Sequence, residues 1–301
     1  MKKVMIWGFY EQGNIGDDLM GMIFYELIEE LGGYPILFSN NPRFTEMGYR
    51  ATTDLAAAEP DILLLGGGAF FKNENASTQS IEGRVQRLAD YVNQNAIPVH
   101  GVSLGSDGID TLDHLSLARK ALVRGGHLES VAVRLESDLA LGLPNARHLD
   151  DVVLLTSTCA SRYKRLTPID PPPGHPNTLI NLSRRKAFAI PRILWKTRKE
   201  RPAFFRAHTS AGNTGGEITV PGFPVIEEKQ FTIQLGYIKA AKTIISSKLH
   251  PGVMAVSFGN RFEPVSPRPK TIAFLKETLP KTLDFDALFS SYVNHIRDMV
   301  I

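Results

Sequence analysis

The run Ser246-Ser247-Lys248-Leu249-His250-Pro251-Gly252 follows the apolar Thr243-Ile244-Ile245 and brings a fixed cation and a titratable imidazole into one short turn. The expected elements are a strand end, a cationic turn and a helix start. Pro251 is expected at the first helical position, where its missing N–H costs nothing. The amides of a helix start and its positive dipole end suit an anion. A ligand bearing phosphate is therefore the first inference. A lone histidine is more often structural than catalytic, but Lys248 and the strand end bring the two readings of His250 level.

Four other segments carry residue types suited to a ligand. Gly13-Asn14-Ile15-Gly16-Asp17-Asp18 lies between an apolar strand pattern and a helix pattern, where open α/β sheets bind ligands. It lacks dinucleotide and P-loop spacing, and a tight turn capped by an aspartate explains it equally well. Gly66-Gly67-Gly68 ends the run Leu63-Leu64-Leu65 with more glycine than a turn requires, which favours close approach by a ligand or a loop. Gly101 to Gly105 repeats this arrangement more weakly. Arg134 follows Val131-Ala132-Val133, and Arg184-Arg185 follows Leu179 to Ser183. Arg134 by itself reads as a surface arginine, and one of the Arg184-Arg185 pair is expected to face a cleft. Histidines and acids show no metal-like spacing.

The elements that must position these residues alternate. Strand patterns are expected at Lys3–Phe9, Tyr34–Phe38, Asp61–Leu65, Pro98–Leu104 and Val131–Arg134. Helix patterns are expected at Leu19–Leu31, around Ile81 to Val92, and at Leu115–Val123. Such alternation implies a parallel sheet covered on both faces. The proline-dense stretch Pro168 to Pro176 reads as a linker. A second series begins at Thr178 and includes a helix at Gln234–Lys242, a strand at Thr243–Ser246 and a helix at Gly252–Phe258. A closing helix spans Asp284 to Met299. The expected fold is α/β, with two Rossmann-like domains facing across a cleft. Residues 1–167 form the first and residues 177–301 the second, and the last helix has the option of packing back on the first.

Composition bounds the function. The chain has 301 residues, enough for two ordinary domains, and its 34 basic and 31 acidic residues give +3, too mild to argue for nucleic acid. The basic excess is local, at Arg184-Arg185-Lys186 and from Lys196 to Arg201. Such runs are usually solvated faces, and a minority mark a polyanion or a membrane surface. Cys159 is the only cysteine, which excludes an intrachain disulfide and a thiolate metal site and fits a cytoplasmic protein. No secretory signal or membrane-spanning stretch is expected.

In this order the segments resemble the polysaccharide pyruvyl transferase family. The resemblance rests on Gly13 to Asp17, Gly66 to Gly68, Gly101 to Gly105, Val133-Arg134 with Ser137, and Asp150-Asp151. It continues through Ser247 to Gly252 with Ala255 and Gly259, and through Lys270 before Phe274-Leu275. It spans nearly the whole chain. Two positions depart from the pattern: Lys248 stands where the family usually has arginine, and Leu135 where it usually has aspartate.

The resemblance implies a GT-B-like fold and transfer of pyruvate from phosphoenolpyruvate to a sugar of a surface polysaccharide or exopolysaccharide precursor. A pyruvyl ketal would form and phosphate would leave. Lys248, Leu249, Arg184 and, reaching across, Arg134 are then the expected donor-binding residues. His250 is assigned proton transfer by the resemblance. Asn14, Gly16, Asp17 and Gly66, Gly67 and Gly68 would serve the acceptor. No cofactor or metal is implied beyond phosphoenolpyruvate as co-substrate. A lipid-linked acceptor and a peripheral contact with the inner membrane face are left open. Two alternatives share the sequence features: a GT-B glycosyltransferase using a nucleotide sugar, and a carbohydrate-binding or assembly protein without catalysis.

Overall fold

The computed structural model describes residues 1–10, 13–72, 79–208 and 216–300. Its contacts divide the chain into two compact units. The first comprises Met1–Phe9, Met20–Val152 and Ala273–Ile301, and the second Tyr10–Leu19 and Val153–Ile272.

The first unit holds seven strands: β1 (Lys3–Trp7), β2 (Tyr34–Phe38), β3 (Ala51–Thr52), β4 (Ile62–Phe71), β5 (Val99–Ser106), β6 (Leu128–Val133) and β7 (Ala146–His148). They pair in the order β3-β2-β1-β4-β5-β6-β7, all parallel. Near-continuous apolar runs in β1, β4 and β5 are what a parallel sheet covered on both faces demands. Met5, Trp7, Leu63, Leu65, Val99 and Val131 pack with Val85, Leu88 and Val92 of the helix Gln79–Asn95.

The second unit repeats the plan on a smaller scale. It has β8 (Thr178–Asn181), β9 (Pro202–Phe205), β10 (Val225–Ile226), β11 (Thr243–Ser246) and β12 (Arg261–Pro264), paired in parallel as β10-β9-β8-β11-β12. Numbered within its own unit, this is the order 3-2-1-4-5 that also opens the first sheet. Its strand order reverses between β8 and β11, the topological switch point at which doubly wound sheets bind ligands.

Several expectations are corrected. The boundary falls at Val152/Val153 rather than at the proline-rich stretch. Ser257 Oγ donates to the Leu154 carbonyl at 2.6 Å and accepts from Ser157 N at 2.9 Å, which anchors the helix Thr156–Arg162 in the second unit. The stretch Pro168 to Pro176 is not a free linker. Ile169 N donates to the Thr232 carbonyl at 3.0 Å, and Lys239 pairs with Asp170 at 3.1 Å. A β-carbon on Gly236 would overlap the Ile169 carbonyl, so the glycine admits that stretch onto the helix Phe231–Ala240. The closing helix, Phe285–Val300, counts with the first unit, where the Tyr292 hydroxyl donates to the Asp150 carbonyl at 2.8 Å.

Gly66, Gly67 and Gly68 lie inside β4 rather than in a loop after it. Gly67 has φ +76°, and a β-carbon there would overlap the Met20 sulfur. The close approach that these glycines permit at Gly67 is therefore by a side chain of the helix Ile15–Glu30. No helix among the described residues is long and apolar enough to cross a membrane.

Candidate functional site

The carboxyl ends of β8 and β11 lie side by side, with Asn181 opposite Ser246. The chain leaving β11 makes a hydroxyl-braced turn in which Ser246 Oγ accepts from Lys248 N at 2.9 Å and donates toward Asn181 Oδ1 at 3.1 Å. Lys248 is the N-cap of the helix Leu249–Ser257, so the helix begins earlier than expected and Pro251 is its third residue. The correction is small in physical terms, because the third amide of a helix also lacks an intrahelical acceptor. Leu249 is buried, so only its backbone can meet a ligand. Gly252 is a packing residue, its missing β-carbon being replaced by the ring of Phe262 from β12.

Lys248 Nζ is held by two groups distant in sequence. It donates to Glu217 Oε1 at 2.9 Å and to His208 Nδ1 at 2.8 Å. Glu217 also accepts from Asn181 Nδ2 at 2.7 Å and from Ala207 N at 3.1 Å. It is placed by an antiparallel bridge to Ser183 and by Ile218 N donating to the Leu182 carbonyl at 2.9 Å. His208 Nδ1 also lies 3.3 Å from Glu217 Oε1. It can offer a lone pair to the ammonium or an N–H to the carboxylate, and the shorter contact favours the lone pair.

The electrostatics follow from this packing. Burial pushes the Lys248 ammonium below the ordinary lysine range, partly offset by Glu217. Burial alone would raise the Glu217 carboxyl, but His208, Lys248 and Asn181 outweigh it and bring the group below the ordinary 4.5. A carboxylate with this many donors stays charged, and the lysine is held in one place by it.

His250, the second residue of the helix, faces the segment Tyr10–Leu19. Its Nδ1 lies 3.6 Å from Asp17 Oδ1, and Asp17 Oδ2 accepts from Asn14 Nδ2 at 2.6 Å. Asn14 forms an antiparallel bridge with His208, and Ile15 N donates to the Ala207 carbonyl at 2.9 Å. Gly16 packs directly on His250, since a β-carbon there would overlap the imidazole. Burial, with the charges of Asp17 and Asp18, holds the Tyr10 phenol well above its ordinary range. The structure thus brings Asn14, Gly16, Asp17, Lys248 and His250 together in one unit.

The two arginines differ in setting. Arg134 counts with the first unit, 2% exposed, where its Nη1 pairs with Asp151 Oδ2 at 3.1 Å and its chain lies against Gly105. It is a buried structural cation. Arg184 and Arg185 are both exposed on a short 3-10 helix, Arg184–Ala189. Sequence reasoning missed Glu217, His208 and Asn181. Asn181 and His208 follow the same carboxyl-end logic that singled out Arg184, once β8 and β9 are placed. Among the described residues no group of three or more His, Cys, Asp or Glu is placed to hold a metal ion.

No protein-family model matches this chain, and no curated protein matches it. Solved structures do. UDP-GlcNAc 2-epimerase from Neisseria meningitidis, bound to UDP-GlcNAc, aligns with TM-score 0.56 and 13% identity over 100% of this chain and 94% of its own. UDP-GlcNAc 2-epimerase from Methanocaldococcus jannaschii gives 0.55 and 13% over 97% and 92%. An α-glucosyltransferase in complex with UDP and a 13-mer DNA gives 0.51 and 10% over 99% and 90%. The fold is accordingly GT-B-like, built of two Rossmann-like units. The expectation of pyruvyl transfer from phosphoenolpyruvate is overturned by these likenesses, which lead to enzymes of UDP-sugars.

Proposed function

We infer that this chain is a nucleotide-sugar enzyme of the GT-B fold, binding a nucleoside diphosphate sugar in its second unit and transferring the sugar to a saccharide acceptor. The observation that carries the reading is the clamped Lys248 at the helix start Leu249–Ser257, on the β8/β11 switch point. The diphosphate meets the first-turn amides and the Lys248 ammonium. Both favour the negative charge that grows on the departing diphosphate as its bond to the sugar breaks. His250, paired with Asp17, takes the proton of the attacking hydroxyl. The reading places the enzyme in the cytoplasm, with a lipid-linked acceptor at the membrane face as one option and no cofactor beyond the nucleotide sugar. Epimerisation of the sugar is the second reading, favoured by the named chemistry of two of the solved structures.

Calorimetric titration with UDP and UDP-GlcNAc tests the site. Binding by the wild type that is weakened at least tenfold in Lys248→Ala supports the reading. No binding of either ligand at millimolar concentration overturns it. UDP release only in the presence of a glycoside identifies transfer, and a changed sugar configuration without acceptor identifies epimerisation.

A further inference from the structure

The stretch from Arg184 to Arg201 holds eight of the chain's 34 basic residues and one of its 31 acidic ones, so the remainder of the chain is net acidic. It runs through the 3-10 helix Arg184–Ala189 and the helix Ile190–Thr197 of the second unit. One side of this segment is used internally, where Ile190, Ile193 and Leu194 pack with Ile180, Leu182, Phe204 and Ile245. The other side carries Phe188 and Trp195, 72% and 68% exposed, the only exposed phenylalanine and tryptophan among the described residues. Around them stand Arg184, Arg185, Arg192, Lys199 and Arg201, all exposed and with no acidic partner among the described residues. The Arg198 guanidinium lies 4.7 Å from the Trp195 ring centre.

A helix face turned to water gains nothing from two large aromatic rings, and unpaired cations beside them only repel one another. Both features become favourable on one kind of surface. We propose that this segment docks on the surface of an anionic phospholipid bilayer, with Phe188 and Trp195 entering the headgroup region and the surrounding arginines and lysines meeting lipid phosphates. Tryptophan suits that depth because its ring is apolar and its N–H is polar. Basic residues with aromatic anchors on one helix face are the pattern of a helix lying in the interface plane. A nucleic acid strand fits less well, since a convex helix face offers no groove for a backbone to follow.

The chain's two tryptophans make the test direct, because Trp7 is 1% exposed and any large change in emission reports on Trp195. The protein is mixed with vesicles of phosphatidylcholine, alone or with about one-third phosphatidylglycerol, and followed by emission and flotation. The proposal expects a blue shift and flotation with the anionic vesicles only, both reversed by high salt. Arg192→Gln and Lys199→Gln should each lower partitioning about fivefold, and Trp195→Ser should weaken flotation. Unchanged wild-type emission with anionic vesicles would overturn the proposal without recourse to any variant. Equal binding to both vesicle types, or tighter binding to single-stranded DNA than to the anionic vesicles, would overturn it as well.

Discussion

Gly16 and His250, 234 positions apart in sequence, pack so closely that a β-carbon on Gly16 would overlap the Cβ, Cγ and Nδ1 of the imidazole. The glycine is what lets the first turn of the helix Ile15–Glu30 meet the first turn of Leu249–Ser257. Asp17, one residue on, is thereby held 3.6 Å from His250 Nδ1. Gly16→Ala must displace the ring. It should lower sugar-transfer turnover about 10²-fold, the scale set by an ångström of misplacement, and cost about 1–3 kcal/mol of stability by overpacking. Turnover and thermal unfolding of the purified variant check both, and wild-type values in each would mean that the close approach at Gly16 does not position His250.

Lys248 and Glu217 form a pair whose halves are unequal in burial, the side chains being 21% and 1% exposed. Lys248→Met leaves a buried carboxylate with less compensation and should cost about 3 kcal/mol. Adding Glu217→Gln should return much of that, because the amide carries no charge to strand. Chemical denaturation of the two single variants and the double variant gives the coupling. Simple additivity would mean that Glu217 does not hold the lysine.

The pH profile follows from the directions of the two shifts. Glu217 has a folded-state pKa below 4.5, so its contribution to stability is present above that value and lost as pH falls through the lower folded value. Glu217→Gln should flatten the acid limb of a stability-versus-pH curve. Lys248 is shifted down, so nucleotide affinity should decline on the alkaline side at a pH below the ordinary lysine 10.5. An affinity that holds constant up to 10.5 would contradict the assignment of Lys248 to the diphosphate.

Arg134 and Arg184 should separate cleanly. Arg134→Ala breaks a buried pair with Asp151 and should lower stability by about 3–5 kcal/mol. Nucleotide affinity of the protein that still folds should not change. Arg184→Ala alters an exposed side chain and should stay within about 0.5 kcal/mol, again with affinity unchanged. A specific loss of nucleotide binding in Arg184→Ala would contradict this and make it a diphosphate ligand.

What the sequence determined by itself is what repeats over a few residues. Apolar runs alternating with helical spacing announced parallel α/β units, and Thr243–Ser246 emerges in the structure with the limits that its composition suggested. The Lys248-Leu249-His250 turn was legible because strand end, cation and helix start are adjacent in the chain. Tertiary packing decided the rest. Glu217 and His208 reach Lys248 from 31 and 40 residues away, and no local pattern encodes such a meeting. Arg134 reads as a surface arginine until Asp151 is placed beside it. The Gly16 turn reads equally as a helix cap or a ligand loop until His250 supplies the reason for its missing side chain. Periodicity is a property of one segment's contact with a core, whereas a site is a coincidence of several segments. That coincidence exists only once the chain has folded.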